Sequence, residues 1–547
     1  MKNCFARIYR FFNQKPLYIL AVIIFMQLLV IVCYNSKKNT LHFDEAVTLR
    51  ISNESQLSDI FCYPKNKFIT SQELKNSLKI EKNERFHYDF VYKNSKLDKG
   101  VPPLYYLLLH TAYSVYSFFS DDFSMQPGIV LNMVFFVLAS IVLYFVSRFI
   151  FEPDLALLPN LLWGFSTGAI SSVFFLRMYA LVTVLYLLLL YIVFNIIRNK
   201  NASLKDYVFL GFTIYFGIMT HYHFVVWAFL VIAFYFIVMY RRSIAIIFKS
   251  CIAVLLAVVL SIASFPVTSN ALNSGHRKWF GENFFNFGNF FKSLCSFFDF
   301  YARSFFGVNA TIAAIIICVL IIALIVKKIF FSAGTSGWQS FNLKQNIMSK
   351  ITDKQVFVFF TVLSFLFIII IAYTSQHRTA RYIWPVAPVG IIFSLFLIKF
   401  TIYRNFDSKA HIKRIMFILT AVLVVLGFAF VKKFSYIYAN DKSFHKSLEY
   451  GRLNAVCVSN YSGYFSDIAY PLLNFKSAIF MNIDDKQRFD EILKNFQEEK
   501  EAVIILTKRF EKQYNEKVLQ ILEHSGWKAE SLFKTDNSEA YIMRYRV

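Results

Sequence analysis

Apolar residues in this chain fall into long unbroken runs, and polar residues collect in the gaps between them. The runs cover 17–34, 103–119, 128–150, 155–174, 178–197, 206–220, 223–240, 250–267, 308–327, 353–373, 381–400 and 412–431. Roughly 20 apolar residues carry a helix across the hydrocarbon core, so the pattern predicts an α-helical polytopic membrane protein with about 11 to 13 crossings. From about residue 432 the pattern changes. Strand-length runs at 454–458, 477–481 and 502–506 alternate with helical spacing at 486–500 and 514–524, and 531–533 and 540–544 read as closing strands around a turn at Asp536 and Asn537. Such alternation predicts a small α/β domain over 432–547 after a transmembrane domain over 1–431.

Charge assigns the sides. Lys2, Arg7, Arg10 and Lys15 precede the first run, and Asn35-Ser36-Lys37-Lys38 follows it without a small-residue cleavage site. The run therefore reads as a retained anchor with a cytoplasmic N-terminus. Arg198, Lys200 and Lys205, then Arg241, Arg242 and Lys249, then Lys327 and Lys328, then Arg404, Lys409, Lys413 and Arg414 mark cytoplasmic ends. The loops at 35–100, 221–223, 268–307 and 374–380 then fall outside, as does the α/β domain. The first loop is too long for a turn, and its scattered apolar residues predict short interfacial helices. The phenylalanine-rich stretch 284–306 belongs to the second large loop. Alternation fails between 103 and 177, and the stretch 155–174, interrupted by Pro159 and Gly164, is expected to be re-entrant or too short to cross.

Composition changes this picture only in detail. Of 547 residues, 57% are hydrophobic and 19% aromatic, far more than a soluble domain needs. The net charge of +24 sits largely in short loops between runs, where positive-inside sorting and anionic lipid account for it, so no nucleic-acid partner is expected. The cysteines at 4, 33, 62, 251, 295, 318 and 457 form no CxxC pair and no ligand spacing with histidine, so neither a zinc site nor a disulfide framework is indicated.

The candidate chemistry lies outside. Thr40-Leu41-His42-Phe43-Asp44-Glu45-Ala46 follows the first run and delivers two adjacent acids to the far membrane boundary. The same side collects Lys99, Arg177, His221, His223, His276, Arg277, Lys278, His377, Arg378 and Arg381. Arginines bind phosphate oxygens through a planar fork, and a carboxylate beside an acceptor hydroxyl serves as a general base. The blander readings stand beside these: acids at a loop start cap or solvate it, an interfacial arginine snorkels, and a histidine in a tight turn is a hydrogen-bonded cap.

Several stretches together resemble a known family. His42-Phe43-Asp44-Glu45-Ala46, Val101-Pro102-Pro103-Leu104-Tyr105-Tyr106, Arg177-Met178-Tyr179-Ala180-Leu181, Thr220-His221-Tyr222-His223 and Arg381-Tyr382 before Pro385 resemble, in order and spacing, the bacterial family 39 and RgtA/B/C/D-like glycosyltransferases. These belong to the GT-C superfamily, with the protein O-mannosyltransferases and the lipid A aminoarabinose transferase. The resemblance implies a GT-C fold, a polyprenyl-phosphate sugar donor, and inverting transfer to a glycan, lipid or protein acceptor. It implies an inner membrane location with the site facing the periplasm or exterior. Asp44 matches the family's acidic motif and is implied as general base, with Glu45 supporting it or orienting the acceptor. Arg177, Arg381, Arg378 and Lys99 are implied on the donor phosphate, and His221, His223, Tyr179 and Tyr382 around donor and acceptor. No cofactor is required and a divalent metal is compatible. Met178 and Tyr179 stand where the aminoarabinose branch carries an Asp, which argues against transferring that substrate. Rival readings are another lipid-carrier enzyme, such as a ligase or polymerase, and a transporter, which would place ionisable groups at mid-span.

Overall fold

The structure, a computed structural model, describes residues 15–59, 67–98, 101–199, 202–240, 242–267, 287–307, 353–375, 378–403, 409–430, 434–437, 442–459, 473–482, 485–507, 512–534 and 538–545. Helix α1 (Pro16–Asn35) opens on a proline at its first turn, where the missing N–H has no partner to lose. The chain then folds back through α2 (Phe43–Asn53), strand β1 (Phe68–Thr70), α3 (Ser71–Asn76), a 3-10 turn at Lys82–Glu84 and α4 (Tyr88–Ser95). The first loop thus holds the short helices expected of it.

The run at 103–119 does not make a crossing. Helix α5 (Leu104–Tyr116) has 13 residues and stops where Phe118 and Phe119 turn outward, so it is only about 20 Å long. Helix α6 (Gln126–Ser147) is full length. The stretch 155–174 is broken, as its Pro159 and Gly164 foretell, into a 3-10 turn (Leu155–Leu157), α7 (Leu158–Gly164) and α8 (Thr167–Phe174), with the Ser166 hydroxyl capping the Ala169 N–H at 3.2 Å. Gln27 of α1 fills the space a side chain at Gly164 would take and donates to the Asn160 carbonyl at 2.9 Å, so the broken pair packs directly on the first helix.

The bundle continues with α9 (Tyr179–Arg198), α10 (Leu204–Ile218), α11 (His223–Tyr240), α12 (Ile244–Ser264), α13 (Phe287–Phe306), α14 (Asp353–Thr374), α15 (Ala387–Tyr403) and α16 (Lys409–Phe430). Seven described helices, α1, α6, α9, α11, α12, α14 and α16, are long and apolar enough to cross a membrane, and the chain is a multi-pass membrane protein. Helices α10 and α15 are shorter, with 15 and 17 residues, and the run at 308–327 lies outside the described residues. A second expectation is corrected: residues 287–306 are helix, not loop. Phe297, Tyr301 and Phe305 recur at four-residue spacing on its buried side. Phenylalanines such as Phe291 on the opposite side hide that period in the sequence.

After the bundle come α17 (Lys442–Glu449), β2 (Asn454–Ser459), β3 (Ser477–Asn482), α18 (Lys486–Gln497), β4 (Glu501–Thr507), α19 (Lys512–His524), β5 (Trp527–Lys534) and β6 (Ser538–Tyr545). The expected turn at Asp536 and Asn537 lies outside the described residues. The sheet order is β1-β3-β2-β4-β6-β5, with β2 parallel to β3 and β4 and the remaining pairs antiparallel. Alternate residues of β2 face opposite ways: Val456 and Val458 pack with Phe489, Leu493 and Phe496 of α18, while Ala455 and Cys457 join Leu74 of α3. Its edge strand comes from outside the 432–547 segment, because β1 pairs with β3 through Ile69 opposite Ala478.

Candidate active site

The N-terminus of α2 organises the cluster. His42 is its N-cap, extended at φ −76° and ψ 154°, and its Nδ1 accepts the Asp44 N–H at 3.1 Å. Glu45 closes the reciprocal bond, its Oε2 accepting the His42 N–H at 2.5 Å. The two acids then part company. Glu45 is fully enclosed, held by Lys38 Nζ at 3.1 Å and by the Leu176 N–H at 2.9 Å. Asp44, with 20% of its side chain exposed, points away from that pair and is bonded to Arg381 through Oδ2.

Arg177 lies on the turn between α8 and α9. That turn is fastened from behind: Asn132 Nδ2 donates to the carbonyls of Val173 at 3.1 Å and Phe175 at 2.9 Å, and Asn132 Oδ1 accepts the Tyr105 hydroxyl at 3.0 Å. Arg177 Nη1 donates to Thr48 Oγ1 at 2.8 Å and to the Asp44 carbonyl at 3.4 Å. Arg381 comes from the 3-10 turn Ala380–Tyr382 ahead of α15 and lies over the Phe175 ring, 5.3 Å from its centre. Among the described residues, Nε of Arg177, Nε of Arg381 and Nε1 of Trp384 are buried donors without an acceptor.

Rings surround the arginines. Tyr179 stacks on Phe175 at 5.7 Å, His221 lies 5.7 Å from Tyr179 and 4.5 Å from His223, and His223 meets Tyr382 edge-on at 5.0 Å. His221 also accepts the His223 N–H through Nδ1 at 3.0 Å, so it caps its turn while standing in the cluster.

Electrostatics follow from burial and the two guanidiniums. Burial pushes the Asp44 carboxyl up, but Arg177 and Arg381 together outweigh it and hold the group below its ordinary value. Burial lowers His42 to about 4, so it is neutral at pH 7 and its 3.5 Å approach to Asp44 is not an ion pair. With Nδ1 accepting, its proton sits on Nε2. Burial raises Glu45 and lowers Lys38, each opposed by the other.

Asp44, Arg177, Arg381, His221, His223, Tyr179 and Tyr382 therefore share one cluster, with Glu45 in the packed layer behind it. Arg378 points elsewhere, donating from Nε to Ser293 Oγ at 2.9 Å on α13. Lys99, His276, Arg277, Lys278 and His377 lie outside the described residues. No three His, Cys, Asp or Glu side chains among the described residues converge as a metal site. The cluster also contains residues the motifs did not single out. Lys38 had no local signal, and His42, though it opens the acidic motif, was not marked as a cap. Asp98, which accepts the Tyr106 hydroxyl at 2.6 Å and faces Arg177, adjoins the Pro-Pro motif. Trp384 and Tyr436 had none beyond being aromatic.

No family model matches the chain, and no curated protein matches it. Among solved structures the chain is similar to ArnT from Cupriavidus metallidurans bound to undecaprenyl phosphate, at 9% identity and a TM-score of 0.44, covering 94% of this chain and 97% of that one. It is likewise similar to ArnT from the same organism in the apo state, at 11% identity and a TM-score of 0.46, covering 91% of this chain and 95% of that one.

Proposed function

We propose that this chain is an inverting glycosyltransferase that moves a sugar from a polyprenyl-phosphate donor to a cell-envelope glycan, lipid or protein on the extracytoplasmic face of the bacterial inner membrane. The observation that carries the reading is the pairing of Asp44 with Arg381 beside Arg177, where both guanidiniums keep an unpartnered buried Nε. Two cations with donors to spare around one carboxylate suit an anion that arrives and leaves. The motif order along the chain supports the same reading.

The reaction is a single displacement. The acceptor oxygen attacks C1 of the sugar as Asp44 takes its proton, the new C1–O bond forms, and the C1–O bond to phosphate breaks. The bonding pair leaves on the polyprenyl phosphate, whose charge Arg177 and Arg381 meet. Phosphate and Asp44 share Arg381, so donor binding draws that cation from the carboxylate and restores its basicity. Glu45 acts behind the site: its enclosed carboxylate fixes the α2 start against the Arg177 turn. A phosphate leaving group needs no protein acid.

Purified protein incubated with radiolabelled polyprenyl-phosphate sugars and membrane extract tests the proposal. Asp44→Asn is expected to lower transfer by about 10²- to 10⁴-fold, the usual worth of a general base. Equal transfer by both proteins removes Asp44 from the mechanism.

A further inference from the structure

Residues 434–437, on the connector between α16 and the sheet domain, run across the cluster, and each is fastened there. Phe434 meets Tyr34 edge-on at 4.4 Å, and the Ser435 N–H donates to Ser171 Oγ at 3.0 Å. The Tyr436 carbonyl accepts Lys38 Nζ at 2.7 Å, and the Ile437 carbonyl accepts the Asn39 N–H at 3.2 Å. Tyr436 itself has φ +66°, a left-handed conformation that costs any residue with a Cβ. Its ring stacks on Phe175 at 4.0 Å and 19°, with His42 edge-on at 5.3 Å and Trp384 at 5.9 Å. Phe175 thus carries Tyr436 and Arg381 together, and the Tyr436 hydroxyl lies close enough to the Arg381 guanidinium to feel its charge.

We propose that Tyr436 is a positioning residue, which holds Arg381 in the orientation that pairs it with Asp44. The proposal rests on the transferase reading for its kinetic consequences and on the contacts alone for its structural one. The strained backbone gains its compensation from the ring stack and from Lys38, the same ammonium that holds Glu45. Asp44 faces Arg177, Arg381, neutral His42 and the hydroxyls of Tyr106, Tyr179 and Tyr436. An Arg381 released from Tyr436 pairs less constantly with Asp44, and the carboxylate then titrates at higher pH.

Tyr436→Phe removes the hydroxyl and keeps the ring stack, so it leaves the fold intact. Transfer rates against donor concentration and pH are expected to show KM for the polyprenyl-phosphate sugar raised about 3- to 10-fold, the worth of one polar contact to the guanidinium, with a smaller change in kcat. The acid limb of kcat/KM should move to higher pH. Hydrogen exchange followed by mass spectrometry should show faster amide exchange at 380–383. Wild-type KM and an unmoved acid limb in Tyr436→Phe, alongside an inactive Asp44→Asn, overturn the positioning role and leave the transferase reading standing. If the wild-type protein transfers no polyprenyl-phosphate sugar, the transferase reading falls, and exchange at 380–383 decides the positioning role alone: faster exchange supports it and unchanged exchange overturns it.

Discussion

Asp44 and Glu45 are neighbours in sequence and opposites in environment, and the difference comes from helix geometry. Successive residues at a helix N-terminus point about 100° apart, so one acid can face the arginines while the next closes a capping bond. His42, the N-cap just ahead of them, sets a pH dependence. Its folded value of about 4 lies below the ordinary 6.5. Between these values the unfolded chain takes up a proton that the folded chain refuses, so the contribution is complete above about pH 6.5 and is lost as pH falls toward 4. Asp44, also lowered, adds stability that disappears only at more acid pH, as its own folded value is crossed. With 31% of the His42 side chain exposed, the effect is modest. Unfolding temperatures in detergent should therefore decline from neutral pH toward about pH 4.5, and His42→Asn, which keeps a capping side chain, should flatten that decline. An equal slope in both proteins would assign the loss to other groups. Asp44 and Arg177 were legible in the sequence because short motifs frame them. Lys38 read as one of two cations closing a span, since nothing local announces that it turns inward while Lys37 stays exposed.

At the scale of elements, the cluster depends on two joints, the start of α2 and the turn between α8 and α9, and Glu45 bridges them through the Leu176 N–H. Lys38 balances that carboxylate where water does not reach. Lys38→Met leaves a buried carboxylate without its cation and should cost about 3 to 5 kcal/mol of stability. Lys38→Met with Glu45→Gln removes both charges together and should recover most of that loss in thermal unfolding. If the double variant is no better than the single, the charge balance is not what Lys38 supplies. Element type was readable wherever one period dominates. The strands of the C-terminal sheet showed as short apolar runs, and the break within 155–174 showed in Pro159 and Gly164. Helix α13 was hidden because phenylalanine occupies both its faces, and α5 looked like a crossing because Phe118 and Phe119 extend the apolar run without extending the helix.

At the scale of the whole molecule, the sheet domain is stitched to the bundle by contacts far apart in sequence. Strand β1 has only three residues, Phe68-Ile69-Thr70, too short to show a period of two, and its partner lies some four hundred residues later. No local pattern specifies such a pairing; it follows from the edge of β3 being available to a strand that the α2 loop delivers. Thr70 and Ser477 stand opposite each other in that register. Antiparallel partners have Cα separations of roughly 4.5 to 5.5 Å, within the range a disulfide spans. Thr70→Cys with Ser477→Cys, in a background where Cys4, Cys33, Cys62, Cys251, Cys295 and Cys318 are replaced by serine and only buried Cys457 is kept, should cross-link under mild oxidation and shift mobility on a non-reducing gel. The substitution removes the Thr70 cap of α3, worth about 1 kcal/mol, which the closed loop more than offsets. Because the bond joins residues already paired, the cross-linked protein should keep its transfer activity and unfold at higher temperature. Absence of the cross-link would detach β1 from the sheet, and a cross-link that forms but abolishes transfer would mean that the loop must leave the sheet during turnover.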